Sequence, residues 1–195
     1  KSHCYTVETV YASGNASQRA KPRCYWGNAY ERVIVRSASA FAAQGGSLTT
    51  DYGRTFYSNW GDSGHTLTAP SFTAPSTGEY LLQASYGNGA GPVNTGITCA
   101  VKVLRVEDTQ GGAVVAKGYL VMPQRGNWNT WGESSLVRAN LVAGKTYRMV
   151  LADDDFGVNM SSFMHFASYG GTGGASGVFD RVNVSELKAL QMTAN

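Results

Sequence analysis

The chain has 195 residues, of which 43% are hydrophobic and only 15% charged, with 24 glycines. That is enough apolar material for a packed core and a poor match to a disordered chain. A formal net charge of +3, with no block of Lys or Arg, makes no case for nucleic acid. No apolar run approaches the roughly 20 residues that a membrane-spanning helix needs, so neither nucleic acid nor membrane is expected as a partner.

Seven Phe, four Trp and eleven Tyr stand among many Gly, Ser, Thr and Asn, which favours short strands joined by turns over helices. Residues 5–11 alternate and read as a strand, followed by a polar loop over 13–23. Residues 24–36 are strand-like again, and a strand-and-turn unit runs from Thr55 to Leu67. Pro70 and Pro75 bracket an edge-like segment. From Glu79 to Tyr86 the alternation is clean, with Tyr80, Leu82, Ala84 and Tyr86 on one face. That is a half-buried strand of a two-layer sheet protein. Residues 97–106 and 113–122 are further strands about a turn at 108–112, and Leu136–Leu141 and Thr146–Leu151 make a hairpin through Ala143-Gly144-Lys145. Val178–Val184 reads as the last strand, and 185–195 as a tail with one helical turn. Turn signals near every ten residues, without a helix long enough for a βαβ unit, predict an all-β sandwich.

There are three cysteines and no C-x-x-C pair, so zinc is disfavoured. Cys4 and Cys24 each open an extended run and would close an N-terminal hairpin if bonded; sequence alone does not fix the connectivity. Cys99, in an apolar strand, is expected as a buried free thiol. Composition and the candidate disulfide together lead to the expectation of a secreted, extracellular protein.

Four segments carry a family resemblance. Ala74-Pro75-Ser76-Thr77-Gly78-Glu79-Tyr80 enters the central strand, and Ala84-Ser85-Tyr86-Gly87-Asn88-Gly89 leaves it. Gly126-Asn127-Trp128-Asn129-Thr130-Trp131 precedes Leu141-Val142-Ala143-Gly144, and Phe179-Asp180-Arg181-Val182-Asn183-Val184 closes the series. In this order, over about Thr66 to Val184, they resemble the carbohydrate-binding modules of the galactose-binding-like β-jelly-roll type, particularly families 6 and 35. The resemblance implies a jelly-roll β-sandwich, assigned to 33–195; residues 1–32 lie outside it and are expected as an N-terminal extension or hairpin packed on the sandwich, with part of a neighbouring domain as the alternative. It implies a non-catalytic module that binds a polysaccharide or oligosaccharide and is tethered to a catalytic domain of a polysaccharide-degrading enzyme. It also implies a structural calcium, for which Asp180 on the apolar face of the last strand is the candidate ligand. The customary Glu-x-Glu of the first strand is missing, with Glu8 and Glu31 the nearest carboxylates.

The candidate sugar contacts are loop aromatics and amides, because a planar ring stacks on the C–H face of a sugar while amides pair with vicinal hydroxyls. Trp128, between Asn127 and Asn129, is the first choice, with Trp131 expected to pin the same loop to the core. The resemblance implies that an aromatic from the 56–62 segment faces it, for which Tyr57 or Trp60 is the candidate, unless these are buried strand aromatics. Asn88 and Asn94 stand in the glycine-rich loop 87–96, where turn chemistry explains them as well. Asn159, His165 and Tyr169 lie in the long segment 152–177, whose Asp153-Asp154-Asp155 run is a second candidate oxygen cluster, or simply a solvated turn. Two other function classes stay open: a lyase or hydrolase using His165 and Tyr169, and a structural or adhesive domain without a sugar site. No Gly-x-Ser-x-Gly or His-Glu-x-x-His motif supports the former.

Overall fold

The computed structural model describes residues 2–6, 8–13, 17, 23–26, 30–62, 64–89, 99–152 and 181–192, and at 2–5, 23–26, 30 and 31 it describes the backbone alone. Two strands, β1 (Ser2–Tyr5) and β2 (Arg23–Trp26), pair antiparallel as a separate ladder in which Cys4 stands directly opposite Cys24. Alternation from Tyr5 to Tyr11 does not extend that ladder. Val10 and Tyr11 are exposed, and alternation without a covering layer gains nothing from burial.

The remaining strands form two antiparallel sheets. Their order along the chain is β3 (Tyr30–Ser37), β4 (Ala42–Gln44), β5 (Ser47–Asp51), β6 (Arg54–Trp60), β7 (Thr66–Thr68), β8 (Phe72–Thr73) and β9 (Gly78–Gly87). Then come β10 (Cys99–Asp108), β11 (Val114–Pro123), β12 (Trp131–Glu133), β13 (Val137–Leu141), β14 (Thr146–Ala152) and β15 (Val182–Met192). The first sheet has the order β12-β9-β15-β6-β5, with β13 continuing along β9 and β3 along β15. The second has the order β11-β10-β14-β7-β4, with β8 also on β14. The expected all-β sandwich is therefore the architecture found.

The core lies between the sheets. Tyr80, Leu82, Ala84 and Tyr86 of β9 are all buried, as the alternation requires, beside Leu187 and Ala189 of β15. Leu104, Val106, Leu120, Met122, Met149 and Leu151 face them from the second sheet. Cys99 is a buried free thiol, as expected.

The tail departs from expectation. Strand β15 runs to Met192 as the longest strand of the described residues, paired with β9 on one side and with β6 and then β3 on the other. Ser-Glu-Leu-Lys-Ala-Leu-Gln-Met is rich in helix formers, and a helical turn is its local preference. Two waiting strand edges, plus a core-facing row at Leu187 and Ala189, override that preference.

On the outer face of the second sheet Glu107 is enclosed by two arginines. Its Oε1 accepts from Arg105 Nε at 2.7 Å and its Oε2 from Arg148 Nε at 2.6 Å. Burial pushes the Glu107 carboxyl up, but the two guanidinium hydrogen bonds outweigh it and hold the pKa below the usual value. A depressed carboxyl contributes stability above its unfolded value of about 4.3 and loses it as pH falls through the folded value. Glu107→Gln is therefore expected to cost about 1–2 kcal/mol at pH 7, a few degrees of Tm, with Arg148 half-exposed and partly screened. Thermal melts from pH 7 to pH 3 should show the two proteins converging in acid; parallel curves would contradict the ion-pair account.

Candidate functional site

Strand register gathers the connections at one end of the sandwich. Gly87, the end of β9, pairs with both Trp131, the start of β12, and Asn183 near the start of β15. Trp60 ends β6 opposite Val182. In the second sheet Cys99 starts β10 opposite Pro123, the end of β11, and Ala152 ends β14 opposite Thr66, the start of β7. The strand ends flanking residues 61–65, 88–98, 124–130 and 153–181 thus lie together. The loops singled out by composition in the sequence spring from this one end. Residues 90–98 and 153–180 lie outside the described residues, and with them Asn94, Asn159, His165, Tyr169, Asp153–Asp155 and Asp180.

Trp128 is half-buried on this end, and its flanking Asn127 is exposed. The loop is built by its own amides. Asn127 Oδ1 accepts the Trp128 N–H at 2.7 Å, Gln124 Oε1 accepts the Gly126 N–H at 2.8 Å, and the Thr130 N–H reaches the Asn127 carbonyl. Asn183 Nδ2 donates to the Trp128 carbonyl at 3.0 Å and so ties the loop to β15. The indole is seated on glycine: a Cβ at Gly87 would lie 2.3 Å from the Trp128 carbonyl oxygen, and one at Gly89 would lie 2.8 Å from indole Cγ and Cδ1. These two glycines are needed for close approach rather than for a turn.

Three expected contacts are not on this rim. Trp60 is fully enclosed, with the Lys102 ammonium 5.8 Å from its ring centroid, so it is a core residue and not a stacking platform. Tyr57 faces inward as well: its ring stacks on Phe41 at 6.4 Å and packs against the core. Asn88 is fully buried, its Nδ2 donating to the Met122 carbonyl at 2.9 Å while its own carbonyl accepts from Arg125 N–H at 2.7 Å. It knots the end of β9 to the end of β11 and has no face for a ligand. Local alternation does not say which side of a strand is covered, so Tyr57 and Trp60 are placed inside by the sheet and not by their own sequence.

Trp131 also departs from expectation. It is half-buried on the outer face of the first sheet, not in the core, edge-on to Phe56 at 5.2 Å with the Arg54 guanidinium 4.7 Å from its ring centroid. Beside it on that face, Lys188 Nζ lies 2.8 Å from Glu133 Oε1 and 3.2 Å from Glu186 Oε2, and both carboxylates contact Ser85 Oγ. Burial draws the Lys188 pKa down, yet the two carboxylates outweigh it and hold it above the ordinary value. This cluster joins segments about 50 residues apart in sequence, a separation at which the sequence offers no signal.

Two cations are fixed at this end, Arg181 partly exposed and Lys102 fully buried. Arg181 clamps Asp62 bidentately, both N···O distances being 2.8 Å. Lys102 Nζ donates to the Gly61 carbonyl at 2.8 Å. The same turn is braced by His65, whose Nδ1 accepts the Gly61 and Asp62 N–H groups at 3.2 and 3.3 Å. Arg125 is exposed, and its guanidinium lies against the Gly132 backbone. The Tyr86 hydroxyl donates to the Pro123 carbonyl at 2.9 Å, and its pKa is raised because burial outweighs the nearby Arg125.

For the calcium that the resemblance implies, no three of His, Cys, Asp and Glu among the described residues converge on a common point, and Glu8 is exposed, while Asp180 lies outside the described residues.

No family model matches the sequence, and a comparison with curated proteins finds no relative. Solved structures do match. A family 35 carbohydrate-binding module from Clostridium thermocellum aligns at TM-score 0.53 and 21% identity, covering 82% of this chain and 98% of the module. The C-terminal family 6 module of a laminarinase from Zobellia galactanivorans aligns at 0.52 and 13%, covering 82% and 100%. A module of a Cellvibrio mixtus lichenase, solved in complex with cellotriose, aligns at 0.50 and 18%, covering 82% and 98%. These likenesses support the two-sheet antiparallel β-sandwich described above. At these identities the likeness is one of fold.

The seat of Trp128 gives a direct test. Gly87→Ala should drive the Trp128 carbonyl away, break its bond to Asn183, and cost about 1–3 kcal/mol. Tryptophan fluorescence and Tm should both change; an unchanged Tm would show that the loop is not held there.

Proposed function

We propose that this chain is a non-catalytic carbohydrate-binding module that holds a polysaccharide at the loop-bearing end of its sandwich. Within a larger polysaccharide-degrading enzyme it would carry the catalytic domain to the substrate, outside the cell. One observation carries the reading: Trp128 is half-exposed on a loop whose geometry is fixed by Asn127, Gln124, Asn183 and two glycines. A ring held in place before the ligand arrives loses little entropy on stacking. Asn127 beside it supplies a donor and an acceptor for adjacent hydroxyls. The naming of the matched structures as carbohydrate-binding modules supports the same reading, and cellotriose in one of them shows the kind of ligand such a sandwich takes. Asn159, His165 and Tyr169 belong to the proposal as further contacts from the segment between β14 and β15.

The carboxylates of the described residues favour binding over hydrolysis. Glu107 and Asp108 are each held below the ordinary range by hydrogen bonds and paired cations, whereas a general acid for glycoside cleavage needs a raised pKa.

The test is retention of the 195-residue chain on immobilised polysaccharides spanning neutral and uronic-acid-containing glycans. Trp128→Ala should reduce retention at least about tenfold, the scale of one lost stacking contact of about 1.5 kcal/mol, with Tm preserved. Release of oligosaccharide products by the same chain would sink the non-catalytic reading. Retention unchanged in Trp128→Ala would move the site elsewhere.

Calcium enters the proposal solely through Asp180. A bound ion there should make Tm fall in EDTA and recover on adding calcium, and Asp180→Asn should abolish that response. An unchanged Tm in EDTA removes calcium from the proposal.

A further inference from the structure

We propose that Cys4 and Cys24 are joined by a disulfide that staples β1 to β2. The first ground is register. The two residues are direct partners in an antiparallel ladder. Directly opposed residues in such a ladder lie about 4.5–5.5 Å apart at Cα and share one face of the ribbon. A disulfide spans Cα separations of about 4.4–6.8 Å, a range that includes directly opposed positions of an antiparallel ladder.

The second ground is the third cysteine. Cys99 starts β10, is 7% exposed, and directs its thiol to the Ala100 carbonyl. Burial pushes its pKa up, outweighing the hydrogen bond from the Met122 backbone. A buried thiol of raised pKa is a poor nucleophile and a poor partner for exchange. With three cysteines in the chain, Cys4–Cys24 is the pairing left.

The third ground is need. β1 and β2 have four residues each and form a two-stranded sheet of their own. Such a ribbon is marginal in water, and closing the connection over 6–22 costs loop entropy. A cross-link removes that cost from the folded side by restricting the open chain as well.

The chemistry is thiol–disulfide exchange with a disulfide oxidant, either a small-molecule disulfide or an oxidoreductase. One cysteine thiolate attacks the oxidant to give a mixed disulfide and release one oxidant thiol. The second thiolate then displaces the other oxidant thiol and forms the Cys4–Cys24 bond. The two cysteines give up two electrons and two protons, and the oxidant becomes two thiols. The bond therefore belongs to an oxidising compartment. It is independent of the sugar reading, since its residues lie outside the sandwich strands.

The experiment uses the full chain, expressed under oxidising conditions and never exposed to reductant. Tryptic digestion should recover peptide 2–19 linked to peptide 24–32, with the intact chain two hydrogens lighter than after reduction. Only Cys99 should be alkylated on unfolding without reductant. Cys99→Ser should keep the link and Cys4→Ser with Cys24→Ser should lose it. Hydrogen exchange supplies the functional readout. Reduction should speed exchange over 2–26 by roughly tenfold or more while β9 and β15 hold their protection. Free 2–19 and 24–32 peptides, or either one linked to the Cys99 peptide, would overturn the pairing. Equal exchange before and after reduction would overturn the stapling role.

Discussion

The pairing of β9 with β15 is the constraint on which the rest of the molecule depends. These two strands share eight paired positions across the middle of the first sheet. Their inward rows, Tyr80, Leu82, Ala84 and Tyr86 against Val184, Leu187 and Ala189, lie in the core. Register in an antiparallel pair has a period of two, so a slip of one residue would turn every one of those side chains to the outside. The same register places Gly87 opposite Asn183 and Trp131 at the far end. That coincidence puts the amide holding the Trp128 carbonyl next to the glycine that makes room for it. Core packing and the presentation of the loop tryptophan are consequences of one alignment.

The aromatic residues divide along that frame. Trp60 and Tyr57 end up inside because β6 lies against β15 and its inward positions meet the core. Trp131 faces outward because it pairs with Gly87, one position beyond the inward-facing Tyr86. Trp128 lies outside the strands, half-buried on the loop-bearing end. Several hydrogen bonds and the close approach to Gly89 hold it there. The charged groups divide similarly. Glu107, Glu133, Asp62 and Asp108 are each tied to a cation by distances of 3.1 Å or less, which steadies the surface.

The candidate site was legible in part. Trp128 and Asn127 could be found because a tryptophan between two asparagines in a glycine-bounded loop has no local reason to be there. Asn88 was read as a loop amide because glycine surrounds it, yet it is buried: its partner, the Met122 carbonyl, is 34 residues away in sequence. The Arg54–Trp131 contact and the Glu133–Lys188–Glu186 cluster had no sequence signal, since each is assembled from strands brought together only by the sheet.

What the sequence determined by itself was the class of fold, the inward face of β9, the burial of Cys99 and the identity of the loop that presents a tryptophan. Each is written in local periodicity or local composition, at two residues per repeat or within one turn. The tertiary structure alone decided the strand character of 185–192, the inward fate of Trp60, Tyr57 and Asn88, and the gathering of four connections at one end. Those depend on which strand becomes a neighbour, and neighbours in a sandwich are chosen by long-range pairing and burial, energies that no short window of sequence contains.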